Sequence, residues 1–269
     1  MRSAALAALM AFSLAALAAP KAELWEFWAP STQSKVAIDH GAWNDFLARH
    51  VRPGDDGINR IAYGRVAPAA REALEQYLQR LQGVDIRKFN RAEQRAYWIN
   101  LYNAATVKVV LDHHPVDSIL KINISPGLFS KGPWKKKLLE VEGQALSLDD
   151  IEHRILRPIW KDPRTHYAVN CASIGCPNLQ PRAYTSANLE ELLDAGARAY
   201  VNHPRGARVD QGRLVVSSIY VWFQSDFGGS EKGVIEHLRQ HAEPALAKRL
   251  RPVTAIHDDE YDWALNDAK

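Results

Sequence analysis

An α+β fold, a helix-rich single domain with a small antiparallel sheet, is predicted by three observations. Segments with helical apolar spacing outnumber those that read as strands. The strand-like segments pair as hairpins across Gly turns, at Glu142-Gly143 and Gln211-Gly212. No repeated βαβ units and no Gly-rich phosphate loop appear, which argues against a doubly wound sheet.

The elements follow in chain order. Residues 1–18 carry Arg2, an uncharged apolar run from Ala4 to Leu17, and the small-x-small pattern Ala16-Leu17-Ala18. This predicts a secretory signal peptide cut after Ala18, because the run falls short of the ~20 residues a membrane span requires. The mature chain, 19–269, is expected to be periplasmic or secreted, with no stable membrane span. Residues 34–50 are loosely helical, with Val36, Ile38, Trp43, Phe46 and Leu47 as apolar positions. Residues 68–82 are a clearer helix, with Pro68 at the start, Leu74, Tyr77, Leu78 and Leu81 at helical spacing, and Gly83 after it.

The strongest helix is 90–112. Asn90 caps it, Glu93 completes a capping box, and from Ala96 it is apolar nearly all round, as a helix inside a domain must be. Asn100 and Asn103 share one of its faces. They are expected either to bind loop backbone or to orient a catalytic group, the first being favoured because buried amides are normally satisfied structurally. Residues 137–147 read as a hairpin. Ser147 with Asp150 caps a helix over 148–157, on which Glu152 and His153 flank the apolar stripe. The apolar alternation of 165–171, THYAVNC, predicts a buried strand. A helix over 186–202, a hairpin over 207–223 turning helical late, and a helix over 231–250 broken near Glu243-Pro244 complete the pattern. The tail IHDDEYDWALND is read as a last strand or a packed Trp.

Composition narrows the function. A hydrophobic fraction of 46% is enough for a core, and a net charge of +3 gives no reason to expect nucleic acid. The run Lys135-Lys136-Lys137 reads as a solvated turn. Most of the eight Trp and nine Tyr are expected in the core, and some to line a groove for a peptide or sugar.

Both cysteines, Cys171 and Cys176, lie in one short segment separated by four residues. Three readings stay open. A disulfide is geometrically feasible across Ala-Ser-Ile-Gly and fits an exported chain. A zinc site ranks last, since four ligands in two spaced pairs are usual and only one thiol pair exists. The remaining reading makes Cys171 a nucleophile on a turn whose backbone N–H groups lower its pKa and hold an oxyanion. It needs a base within hydrogen-bond reach, for which His166 and His153 are candidates. Glu152, or Asp149 one turn back, would orient that base.

The stretches AYWINLYNA (96–104), LSLDDIEHRILR (146–157), DPRTHYAVNCASIGCP (162–177), SSIYVWFQSDF (217–227) and YDWALN (261–266) resemble the uncharacterised family catalogued as domain of unknown function 547. The resemblance spans about 90–266. One departure is Ala172, where many members carry Gly after the first cysteine. The resemblance implies a distant relation to papain-like or transglutaminase-like thiol folds, and no established activity. The expected function is therefore a cysteine-centred thiol hydrolase or acyltransferase acting on peptide or amide bonds. Its site is expected to comprise Cys171, His166, His153, Glu152, Asn100 and Asn103, supported by Ser173, Cys176, Tyr102 and Arg164. Its ligand is expected to be a peptide, an amide or a small molecule, with no cofactor and no metal. The alternative is a non-enzymatic periplasmic binding module with a structural Cys171–Cys176 disulfide.

N-terminal sequencing of protein from the native host should begin near Ala19. A soluble cytoplasmic product retaining Met1 would contradict the signal-peptide reading.

Overall fold

Helix α1 (Gly41–His50) is followed by the short antiparallel pair β1 (Val51–Pro53) and β2 (Asn59–Ile61), then by α2 (Pro68–Gln82). The computed structural model describes residues 20–127 and 130–268, so the expected signal segment lies outside the described residues. Only the second half of the 34–50 segment is helical. The 68–82 helix stands as its apolar spacing predicts.

Helix α3 (Arg91–His113) runs through the larger of two apolar cores. Trp98 and Tyr102 are each 1% exposed, so the all-round apolar pattern does mark an interior helix. Trp98 meets Trp28 edge-on at 5.0 Å, an arrangement that aromatic quadrupoles favour. Asn90 Oδ1 accepts from the N–H groups of Ala92 and Glu93, both at 3.0 Å. Glu93 does not complete the capping box. Its carboxylate accepts instead from Ile38 N at 3.3 Å and from the Ser186 hydroxyl, tying two loops to the helix start.

Strands β3 (Leu139–Val141) and β4 (Gln144–Leu146) form the expected hairpin, with Glu142 and Gly143 both at positive φ, as a tight two-residue turn requires. The Ser147–Asp150 capping box is present. Asp150 N donates to Ser147 Oγ at 3.2 Å, and Ser147 N donates to Asp150 Oδ2 at 2.8 Å. The helix it opens is a wide π-type segment, Asp150–Leu156, which narrows into α4 (Arg157–Trp160). π-type turns are rare and frequently occur at functional sites. This one carries Glu152 and His153.

The segment expected to be a strand at 165–171 is instead one helical turn, α5 (Thr165–Ala168), followed by extended backbone. The apolar alternation misleads here because polar side chains set the backbone. Asp162 Oδ1 accepts from Arg164 N at 2.9 Å and starts the turn, while Arg95 grips both Asp162 and the Thr165 hydroxyl. Beyond the turn, the Asn103 amide supplies the hydrogen bonds that a neighbouring strand would have provided.

Helix α6 (Leu189–Val201), hairpin β5 (Ala207–Asp210) and β6 (Arg213–Ser217), and the short α7 (Ser218–Trp222) build a second apolar core with α8 (Glu231–His241) and α9 (Pro244–Leu250). The break between α8 and α9 falls at the predicted proline. The tail supplies β7 (Ile256–Glu260), which joins β6 in parallel, so this third sheet is mixed while the other two are antiparallel pairs. The fold is α+β. Tyr167 packs in the second core, whereas Ala168 and Val169 pack in the first. The chain reaches Cys171 directly from this seam. Among the described residues, no helix is long and apolar enough to cross a membrane.

Three buried histidines make stability depend on pH. Desolvation lowers His40, His153 and His237 each to about 4. Between about pH 4 and 6.5 the unfolded chain therefore binds more protons at these rings than the folded one. Their contribution is complete above 6.5 and is lost as the pH falls through that window. Asp149, raised to about 6 by burial and by the charge of Glu152, works in the opposite direction and offsets part of the loss. Urea denaturation should thus show a lower midpoint at pH 4.5 than at pH 7. An unchanged or higher midpoint would contradict this assignment.

Candidate functional site

The cysteine loop is held from beneath by α3. Asn103 Nδ2 donates to Ala168 O at 2.9 Å, and Asn170 N donates back to Asn103 Oδ1 at 2.8 Å. Asn170 then folds the loop on itself: its Oδ1 accepts from Ala172 N at 2.9 Å and its Nδ2 donates to Pro177 O at 2.7 Å. Ala172 sits at φ 60, in the left-handed region that costs an L-residue on the order of 1–2 kcal/mol. A glycine would meet no such penalty, which accounts physically for the turn geometry that alanine puts under strain. The outer side of the loop pairs with the C-terminal tail, Ile174 N donating to Ala264 O and Gly175 N to Asp262 O, each at 2.8 Å. A Cβ at Gly175 would lie 2.8 Å from Asp262 N, so the close approach needs glycine.

Within this frame the two cysteines are free and their sulfurs are 3.0 Å apart. Cys176 is buried, whereas Cys171 keeps partial exposure. Cys171 Sγ also lies 3.3 Å from Ser173 Oγ and 3.1 Å from the Tyr261 hydroxyl. The Cys176 thiol, then the Ser173 and Tyr261 hydroxyls, pull the Cys171 pKa below the ordinary thiol value against the opposing effects of burial and the Glu152 charge. Burial, and then Cys171 itself, push Cys176 upward. The backbone donors expected to assist Cys171 are committed elsewhere. Cys171 N donates to Cys176 Sγ at 3.0 Å, and Ala172, Ile174 and Gly175 N–H groups meet the acceptors named above.

A second polar cluster adjoins this one. Glu152 Oε2 accepts from the Tyr102 hydroxyl at 3.0 Å, and Glu152 Oε1 lies 3.8 Å from His166 Nδ1. His166 Nε2 meets Asp226 Oδ2 at 2.7 Å, and its ring stacks on Phe223 at 4.4 Å. Arg157 donates from Nε to the same Asp226 oxygen at 2.6 Å. Burial resists ionisation of Asp226, but the His166 and Arg157 hydrogen bonds outweigh it and hold the carboxyl well below its usual range. Arg157 Nη1 also donates to His153 Nδ1 at 3.0 Å, which leaves the other nitrogen of a neutral His153 ring protonated, 3.8 Å from Asp149.

The structure brings together Cys171, Cys176 and Ser173 on one side, and Tyr102, Glu152, His153 and His166 on the other, with Asn103 positioning the loop that carries the thiols. Neither histidine is a hydrogen-bond partner of either sulfur. Asn100 is apart: it clamps the Tyr184 backbone, accepting from Tyr184 N at 3.0 Å and donating to Tyr184 O at 2.7 Å. Arg164 is apart as well, bound to Asp162, Asp194 and Glu190 on the α6 side.

Sequence reasoning missed Tyr261, Asp226, Arg157 and Phe223. The available signal was their place in the stretches SSIYVWFQSDF, YDWALN and LSLDDIEHRILR, which carry polar groups amid apolar neighbours. Half-buried Trp222 and Trp263 contact Tyr261 at 4.9 and 4.6 Å, and Trp134 meets Trp263 at 5.8 Å. These rings pack beside Tyr261, whose hydroxyl contacts Cys171 Sγ. Two cavities border the site. One of about 230 Å³ is lined by Tyr261, Gly175, Arg205 and Arg208, and one of about 330 Å³ by Asp226, Phe227, Lys232 and His237. Among the described residues, no group of three or more His, Cys, Asp or Glu is placed to hold a metal ion.

The span from the start of α3 to the end of α6 thus supplies both clusters except Asp226, Phe223 and Tyr261. Residues 86–201 match the family described as protein of unknown function, DUF547. This is the family whose motifs the sequence resembles. A search of curated proteins and a search of solved structures each found no match. The DUF547 span holds Asn103, Glu152, His153, His166, Cys171 and Cys176, and it stops short of the residues that anchor His166 and Cys171 from the C-terminal part.

Replacing Tyr261 with Phe removes one hydroxyl donor from Cys171 while keeping the ring. Cys171 should then alkylate several-fold more slowly near pH 7, with its pH profile moved upward. An unchanged profile would show that this hydroxyl does not act on the thiol.

Proposed function

We propose that this chain is an exported thiol-dependent enzyme, a hydrolase or acyltransferase acting on peptide or amide bonds, with Cys171 as nucleophile. The observation that carries the reading is the environment of Cys171: a partly exposed residue whose sulfur has three hydrogen-bonding neighbours, on a strained turn clamped by Asn103 and Asn170. The thiolate, not the thiol, is the reacting form, and these neighbours favour it without an imidazole in contact. The N-terminal segment 1–18 supports export.

In this reading the thiolate attacks the carbonyl carbon, and the Tyr261 and Ser173 hydroxyls take the place of backbone donors at the developing oxyanion. The C–N bond breaks, the amine leaves with a proton, and a thioester remains on Cys171. Water or a second amine then takes the acyl group and regenerates the thiol. Glu152, held by Tyr102, and His166, held by Asp226, form the adjoining row of groups able to carry protons. The Trp134–Trp222–Trp263 wall receives the apolar part of the ligand.

A second reading, a binding module with a structural disulfide, is favoured by the 3.0 Å contact between the sulfurs. The test uses an activated ester, p-nitrophenyl acetate, on the reduced protein. An acyl group should appear on Cys171 by peptide mass mapping, and Cys171→Ser should lower its rate of formation by at least ~10³-fold. Acylation spread over lysines, with no Cys171 adduct, would overturn the enzymatic reading.

A further inference from the structure

Cys176 has no part in the acyl chemistry beyond its contact with Cys171, yet its placement is closely determined. Its sulfur is buried, receives the Cys171 backbone N–H at 3.0 Å, and rests 3.0 Å from Cys171 Sγ. The loop between them is fixed at three points. Asn170 holds Ala172, Cys176 N donates to Ser173 O at 3.1 Å, and Gly175 is pressed against the tail at Asp262. A bond of about 2.05 Å would require the sulfurs to approach by only about 1 Å. The two residues differ in exposure: Cys171 is partly exposed and Cys176 is buried, which favours first attack on an external reagent by Cys171. One attacking thiol on a partly exposed residue, with one buried neighbour in contact, is the arrangement that thiol–disulfide exchange needs.

We infer that Cys171 and Cys176 form a reversible dithiol–disulfide couple, oxidised by low-molecular-weight disulfides, which switches the nucleophile off. The inference rests on the reading of Cys171 as the working thiol. In the first step the Cys171 thiolate attacks one sulfur of the external disulfide, a mixed disulfide forms on Cys171, and one thiolate leaves. In the second step Cys176 gives up its proton and attacks Cys171 Sγ, the 171–176 bond forms, and the second external thiolate leaves. Two protein thiols are oxidised and one external disulfide is reduced to two thiols. The Cys171 N–H, aimed at Cys176 Sγ, supports the charge that Cys176 bears as it attacks. A reducing dithiol reverses the sequence.

The test treats the full, reduced protein with excess oxidised glutathione, followed by peptide mass mapping and by the acylation assay. The two thiols should disappear together into a Cys171–Cys176 crosslink, acylation of Cys171 should be lost, and dithiothreitol should restore both. Cys176→Ser, and Cys176→Ala as a second variant, should stop at one glutathione on Cys171. The couple is overturned if wild-type protein retains glutathione on Cys171 without crosslinking. It is equally overturned if the variants take up none, or if dithiothreitol does not reopen the crosslink. A crosslink that forms and reopens in a protein whose reduced form is never acylated at Cys171 would uphold the couple and remove the hydrolase reading.

Discussion

The hydrogen bonds of Asn103 to Ala168 O and Asn170 N are the constraint on which the rest of the site depends. They join a deeply buried helix, α3, to the loop that carries both thiols. A segment with no strand partner would otherwise leave buried backbone groups unsatisfied, at about 1–3 kcal/mol each. One side chain with a donor and an acceptor in fixed geometry replaces the missing ladder. It also places the turn so that Asn170 can stabilise Ala172 in a backbone region alanine rarely adopts. Strain of this kind persists only where the surroundings over-determine the backbone.

Two electrostatic systems meet at this turn. In one, sulfur and hydroxyl groups surround Cys171 and favour its charge. In the other, Arg157 and His166 hydrogen-bond Asp226, and Glu152 is held by Tyr102. Burial, and after it the Glu152 charge, act against the thiolate, so the balance at Cys171 depends on short-range donors outweighing both. Short hydrogen bonds to charge win over a more distant like charge because they are directional and strong, and because the Coulomb interaction weakens with distance. The π-type segment contributes by setting Glu152 and His153 on a wider turn than an α-helix offers.

The site also stands at the junction of the two cores. Tyr167 belongs to one and Ala168 to the other, and groups from four separate stretches, 102–103, 149–157, 222–226 and 261–263, converge there. This explains why only part of the site falls within the DUF547 match. The C-terminal part closes the site from outside, through Asp226 on His166 and Tyr261 on Cys171.

Much of this was legible in the order of residues. The α2 and α3 helices, the two hairpins turning at Glu142-Gly143 and Gln211-Gly212, and the break at Glu243-Pro244 follow from local periodicity, capping and turn chemistry, which act within a few residues. The Tyr102, Glu152, His166 and Cys171 side chains were likewise marked as candidates by residue type and context. The strand expected at 165–171 was not realised, because Asn103, 65–67 residues away in sequence, satisfies its backbone in a different shape, and Arg95, 67–70 residues away, grips the Asp162 and Thr165 side chains. The same holds for Tyr261, which stands 90 residues from the sulfur it contacts. Local rules decide which segments become helices and hairpins. Which polar group meets which sulfur was decided only by tertiary packing, because hydrogen bonds and charges act over a few ångströms of space whatever the distance along the chain.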